Sequence, residues 1–170
     1  MSFTVAQINR LGQAEFVRVI GPVFEHSPWI AELAWLKKPF SDLKQLYATL
    51  CETVRNSGEE KQLALICAHP DLVGRAARAG TLTRESNNEQ AAAGLTALAP
   101  EEIEMFQMQN AAYKSKFGFP FVICARLNKK TAILAGFETR LKNSREQEIQ
   151  TALEEIFKIA ELRLRDLIAN

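Results

Sequence analysis

The chain is poor in the side chains on which most metal and nucleophile chemistry depends. Its 170 residues include two histidines and three cysteines, with no Cys-x-x-Cys or His-Glu-x-x-His pairing to set two ligands side by side. Cys51, Cys67 and Cys124 stand far apart, and an odd number argues against a disulfide framework. They read as small buried apolar groups in a reducing compartment. An excess of one charge is also missing. Twenty-one basic side chains face 20 acidic ones, a net of +1, so the broad basic field that nucleic acid requires is not there. No apolar run approaches the roughly 18 residues of a membrane span. Met1-Ser2-Phe3-Thr4-Val5 lacks the basic and apolar regions of a secretory leader. Ile168-Ala169-Asn170 is not a peroxisomal or retention tripeptide. The expectation is a cytoplasmic protein that meets neither nucleic acid nor membrane. Neither Gly-x-Gly-x-x-Gly nor a Walker-type loop occurs, so no cofactor and no metal is expected. No fixed-period repeat or low-complexity linker divides the chain, and 1–170 reads as one domain.

What the sequence does have is helical periodicity. Hydrophobic residues make up 47% and charged residues 24%, an ordinary globular mixture. Leu43, Leu46, Tyr47, Leu50 and Val54 recur at spacings of three and four over 42–56, with Ser41 as N-cap. Ile149, Leu153, Ile156, Ile159, Ala160, Leu164 and Leu167 form one stripe over 145–168. Ser144 with Gln147 three residues on is a capping-box pattern for that helix. Pro100-Glu101-Glu102 opens a helix over 101–115, which should stop before Gly118-Phe119-Pro120. Further helices are predicted at 5–10, 13–20, 29–37, 59–68, 86–94 and 131–141. Only Phe121-Val122-Ile123-Cys124-Ala125 looks strand-like, and it has no partner run. We read it as a buried extended stretch or a helix start. The fold class is all-α, a single-domain bundle of about eight to ten helices.

Four places hold residues able to do chemistry. His69 follows a helix-like run and precedes Pro70, which disfavours helical geometry at the residue before it. The imidazole should therefore sit at an element end, where side chains line clefts, and its ordinary pKa of about 6.5 suits proton transfer near neutrality. Taken alone, a histidine bonding a helix C-terminus is the commoner reading. His26 reads as a surface loop residue. Ser86-Asn87-Asn88-Glu89-Gln90 follows Thr83 and is dense in donors and acceptors, with Ser86 or Asn87 as N-cap. Such a helix start suits an amide- or urea-rich ligand, though a solvated cap is again commoner. Phe121 to Ala125 would offer backbone groups to a flat polar heterocycle, if it is not simply core. Arg163 lies at the edge of the apolar stripe and Arg165 toward solvent. An inward arginine needs an anion, either a substrate carboxylate or a neighbouring acidic side chain.

The order and spacing of these segments carry more information than any one of them. His69-Pro70-Asp71-Leu72, Ser86-x-x-Glu89-Gln90 with Gly94-Leu95, Tyr113-x-x-Lys116-Phe117-Gly118-Phe119-Pro120-Phe121, and Asn143-Ser144-Arg145-Glu146 occur in that order. Phe24-Glu25-x-Ser27-Pro28-Trp29 precedes them and Arg163-Leu164 follows. Nearly end to end, the chain resembles the 2-oxo-4-hydroxy-4-carboxy-5-ureidoimidazoline (OHCU) decarboxylase family, which completes the conversion of urate to S-allantoin. The resemblance implies an all-α fold, a homodimer and decarboxylation of a small ureidoimidazoline without a cofactor. By motif, His69 corresponds to the family's catalytic proton donor and Glu89 to the carboxylate that works beside it. Pro70, Ser86, Asn87, Asn88, Glu89, Gln90, Phe121, Val122, Ile123, Cys124 and Ala125 correspond to its substrate-binding positions, and Arg163 to an arginine of the site. Two competing readings remain at this point. One is a ureide-processing hydrolase on the same fold; the other is a non-enzymatic helical module docking through a face around Trp29 and Trp35.

Overall fold

In the computed structural model, residues 2–169 are described, with the side chains at 76 and 78 left aside. Ten α-helices and two 3-10 turns occur among the described residues, and none of these helices is long and apolar enough to cross a membrane. The fold is all-α, as the periodicity predicts. The chain divides into two units, Met1–Ala68 with Phe157–Asn170, and His69–Ile156.

The first unit holds α1 (Val5–Arg10), α2 (Gln13–Ile20), the 3-10 turn Gly21–Val23, α3 (Trp29–Trp35), α4 (Leu43–Arg55), α5 (Glu59–Ala68) and the C-terminal part of α10 (Arg145–Leu167). Ile8, Phe16, Ile20, Ile30, Leu46, Leu50 and Val54 are fully buried and make its core. Three of them, Leu46, Leu50 and Val54, repeat every fourth residue of α4 and so share its inner face. The helix is capped by Asp42, not Ser41: the Asp42 carboxylate accepts from the Gln45 N–H at 2.7 Å. An acidic acceptor gains more from the positive helix end than a hydroxyl does. Asn9 fastens the approach to α4 by two bonds to one residue. It donates to the Phe40 carbonyl at 2.7 Å and accepts from the Phe40 N–H at 2.8 Å.

The second unit holds α6 (Arg75–Ala79), α7 (Arg84–Ala92), α8 (Pro100–Phe117), the 3-10 turn Ala125–Leu127, α9 (Lys130–Arg140) and the start of α10. Five residues are too few for a helical period to show in sequence, and α6 was not foreseen. Pro100 does open α8, where Glu102 reaches back to the Ala99 N–H at 3.0 Å. Gly118 closes it in the left-handed region, φ 82°, where only glycine is at ease. Ser144 and Gln147 cap α10 reciprocally, as their spacing predicts. Phe106, Tyr113, Phe117, Phe119, Phe121 and Phe137 form a contiguous aromatic core. Phe121 stacks on Phe137 at 3.8 Å, and a Cβ on Gly136 would meet the tip of the Phe121 ring at 3.4 Å. That close approach accounts for a glycine inside α9. Residues 121–124 lie outside helix and strand and reach the 3-10 turn with Cys124 extended, so the strand-like segment is a buried stretch without a sheet partner among the described residues.

Candidate active site

His69 stands where Pro70 stops the preceding helical run, and it is buried, 8% exposed. After it the chain makes a tight turn, with the Gly74 N–H donating to the Asp71 carbonyl at 3.3 Å. The turn admits nothing larger than glycine at its end, because a Cβ on Gly74 would lie 2.6 Å from that of Asp71. Val73 within it has φ 54°, a conformation that β-branched residues rarely adopt. Three side chains hold the corner. Asn110 donates to the Leu72 carbonyl at 2.8 Å, Gln90 accepts from the Val73 N–H at 3.1 Å, and Lys114 meets Asp71 at 2.6 Å.

Helix α7 supplies the polar face. Its cap is Thr83, whose hydroxyl accepts from the Ser86 N–H at 3.2 Å. The expected caps Ser86 and Asn87 are therefore inside the helix. With the start moved upstream, Ser86, Glu89 and Gln90 fall at positions i, i+3 and i+4, and all three are buried. Asn87 and Asn88 are exposed on the other side. Glu89 and Gln90 are neighbours in sequence, so the bond from Gln90 to Val73 ties the corner after His69 to the helix that carries Glu89.

The extended segment is anchored from both sides. Arg140 donates to the Val122 carbonyl at 2.6 Å, and the Cys124 N–H donates to Glu155 at 2.8 Å. The Cys124 carbonyl takes the Asn128 amide at 3.0 Å and the Leu127 N–H at 3.1 Å. These groups are engaged within the protein, so the backbone here is less open than an isolated extended stretch suggests. Arg140 in turn meets Glu148 at 2.9 Å, and Glu148 accepts from the Tyr113 hydroxyl and, at 2.7 Å, from Asn143. Burial, followed by the Glu148 hydrogen bond, pushes the Tyr113 phenol far up and keeps it protonated. The Cys124 thiol is also pushed up, first by burial, then by the negative charges of Glu155 and Glu89. The packing of α7 on the turn Ala125–Leu127 places the helix of Glu89 beside the end of the extended segment.

Arg140, Glu148, Glu155 and Asn110 went unrecognised in the sequence reading. The Asn143-Ser144-Arg145-Glu146 motif supplies Asn143, which closes one side of the Glu148 cluster. The others lay inside predicted helices, where nothing local marks a polar side chain as inward.

In the first unit Arg163 is buried and Arg165 is exposed, paired with Glu161 at 2.6 Å. Arg163 donates to the Pro22 carbonyl at 3.1 Å and to Glu25, itself buried, at 3.0 Å. The acidic neighbour named as its alternative partner is thus present. His26 is exposed, as expected of a loop residue, but Cys67 is exposed rather than buried. A cavity of about 790 Å³ lined by Thr4, Asp42, Lys44, Tyr47, Glu161 and Arg165 also lies in this unit, and none of the expected site residues borders it. Among the described residues no three His, Cys, Asp or Glu side chains cluster as metal ligands.

The family model described as OHCU decarboxylase matches residues 9–165. The chain belongs to the OHCU decarboxylase family. It is 42% identical over 164 residues to a 2-oxo-4-hydroxy-4-carboxy-5-ureidoimidazoline decarboxylase of Halalkalicoccus jeotgali, covering 96% of this chain and 91% of that one. It is 43% identical to the enzyme of the same name from Amia calva, covering 95% and 93%. Among solved structures it resembles an (S)-allantoin synthase with a TM-score of 0.79 and 30% identity, covering 98% of this chain and 54% of that one. As an OHCU decarboxylase family member, the chain carries the His69 corner and the buried face of α7 within the matched region.

Proposed function

We propose that this protein decarboxylates 2-oxo-4-hydroxy-4-carboxy-5-ureidoimidazoline to S-allantoin in urate breakdown, as a carbon–carbon lyase that uses no cofactor. The observation that carries the reading is the bond from Gln90 to the Val73 N–H, which sets the corner after His69 against the helix of Glu89. Family membership supplies the substrate class. The match from residue 9 to 165 spans both units, which supports treating 1–170 as one functional unit.

Loss of CO2 leaves an electron pair that must be delocalised, a task often given to a cofactor. This substrate brings its own acceptor, a ring C=N bond conjugated with its urea groups. The C–CO2 bond breaks, the pair passes into that ring system, and a proton delivered to one face sets the S configuration. His69 delivers the proton and Glu89 polarises the imidazole. Pro70, Ser86 and Gln90, together with backbone groups between Phe121 and Ala125, hold the ring and the ureido arm. Arg163 takes an anionic or carbonyl group of the substrate. Asn87 and Asn88 contribute by completing the first turns of α7, where the Asn87 N–H donates to the Thr83 carbonyl at 2.9 Å and both side chains are exposed.

We assign the protein to the cytoplasm and to a homodimer. Three cysteines with no disulfide among them fit a reducing compartment. Exposed Leu36, Met108 and Leu127 supply apolar surface of the kind homodimers bury. Light scattering should give about twice the 19.1 kDa chain mass.

The direct assay generates the substrate in place, by oxidising urate and hydrolysing the resulting hydroxyisourate. Accelerated CO2 release with optically active S-allantoin supports the reading. Ring opening without CO2 would make the protein a ureide hydrolase, and no turnover at all would leave it a binding module.

A further inference from the structure

We infer that Asn110 is a positioning residue for His69, acting through the single peptide that joins Leu72 to Val73. The inference rests on the reading of His69 as the proton donor.

Both polar atoms of that peptide are held by side-chain amides from different helices. Asn110 on α8 donates to its carbonyl at 2.8 Å, and Gln90 on α7 accepts from its N–H at 3.1 Å. Both bonds are buried, so neither gives way readily to water. Gripping a peptide plane at both ends fixes its tilt, and the next torsion along the chain is the φ of Val73. At 54° that torsion is unfavourable for a residue branched at Cβ, and such a conformation persists only where its surroundings impose it. The rest of the corner leaves little room for adjustment. Pro70 has a locked φ, a Cβ on Gly74 would collide with that of Asp71, and Asp71 is bound by Lys114. Lys114 lies one turn after Asn110 on the same face of α8.

Helix α8 therefore fixes the corner at two points, and Gln90 relates it to the helix of Glu89. Without the Asn110 donor the Leu72–Val73 peptide can rotate and Val73 can relax to negative φ. His69, three residues before Leu72, then shifts relative to Glu89. Asn110 touches no substrate in this scheme. Its effect should fall on kcat, through a proton donor held slightly out of line, more than on KM.

The test uses the full chain. Asn110→Ala should lower kcat on the order of tenfold or more, the scale expected when a reacting group is misplaced by a fraction of an ångström to an ångström, with KM little changed. Val73→Gly added to Asn110→Ala should recover much of that loss, because glycine holds positive φ without strain. A merely structural asparagine would not be rescued this way. Should the alanine variant fail to fold, Asn110→Leu keeps the volume and removes the donor.

With only His26 and His69 in the chain, His69→Ala assigns the two ring signals in an NMR spectrum. In the Asn110 variants the His69 resonances should move and the His26 resonances stay. Unmoved His69 resonances overturn the inference whatever the turnover, as does a displacement that Val73→Gly fails to reverse. Near-normal turnover in His69→Ala would instead overturn the catalytic reading, and the ring signals would still report whether Asn110 places that imidazole.

Discussion

Arg140 and Glu148 face each other at 2.9 Å with side chains 9% and 0% exposed, and Arg140 also holds the carbonyl of Val122 and lies 4.3 Å from the Phe121 ring centre. Removing one member of so dry a pair strands the other charge. Arg140→Met should cost about 3–5 kcal/mol of stability, read by chemical denaturation. It should also weaken substrate binding, since the extended segment loses an anchor. A loss below about 1 kcal/mol would mean that the pair is far wetter than its burial indicates.

His69→Asn should reduce turnover by about 10²- to 10⁴-fold, the contribution typical of a positioned acid, and leave the helical circular dichroism unchanged. Glu89→Gln should lose rate chiefly in kcat. If both variants turned over substrate normally, the proton donor would have to be sought elsewhere.

Arg163→Ala removes a substrate anchor in our scheme, but it also leaves Glu25 buried without its guanidinium. The two effects separate in a double variant. Arg163→Ala alone should lose stability, on the order of 3 kcal/mol, and raise KM. Adding Glu25→Gln should restore part of the stability and leave KM high. Arg165→Ala, on the exposed side, is the control. Recovery of KM together with stability would limit Arg163 to its ion pair.

The cysteines should differ in pH response. Burial, then Glu155 and Glu89, raise the Cys124 pKa, so its thiolate forms at higher pH than that of an ordinary thiol. The thiolate is the reactive species. Alkylation near pH 8 should therefore label exposed Cys67 first, and Cys124 should follow only as the pH climbs past the ordinary thiol range. Peptide mass spectrometry resolves the two sites. Replacing Glu155 with Gln removes one of the charges that raise the Cys124 pKa and should bring its labelling to lower pH.

Most helices were legible because their periodicity and punctuation agree. The predicted 5–10, 13–20 and 59–68 coincide with α1, α2 and α5, and Pro100 and Gly118 bound α8 as expected. The caps were harder to place. Asp42 displaced Ser41, and Thr83 displaced Ser86 and Asn87, because adjacent polar residues compete and backbone geometry decides between them. The second displacement mattered more, since it turned a presumed cap into a buried face. Long-range polar pairs were invisible. Nothing near Arg140 announces Val122, 18 residues earlier, and nothing near Glu25 announces Arg163, 138 residues later. Such pairs arise from how helices stack, which one-dimensional periods do not encode.

The early start of α7 has a consequence for how this stretch tolerates change. Each residue of a helix is rotated about 100° from the last, so 86, 89 and 90 look inward while 87, 88, 91 and 92 meet solvent. Saturation mutagenesis across 84–92 should thus return an interrupted map. Permissive positions would be interleaved with intolerant ones, and a fluorophore or spin label attached at 88 could watch the helix from its wet side without disturbing the other.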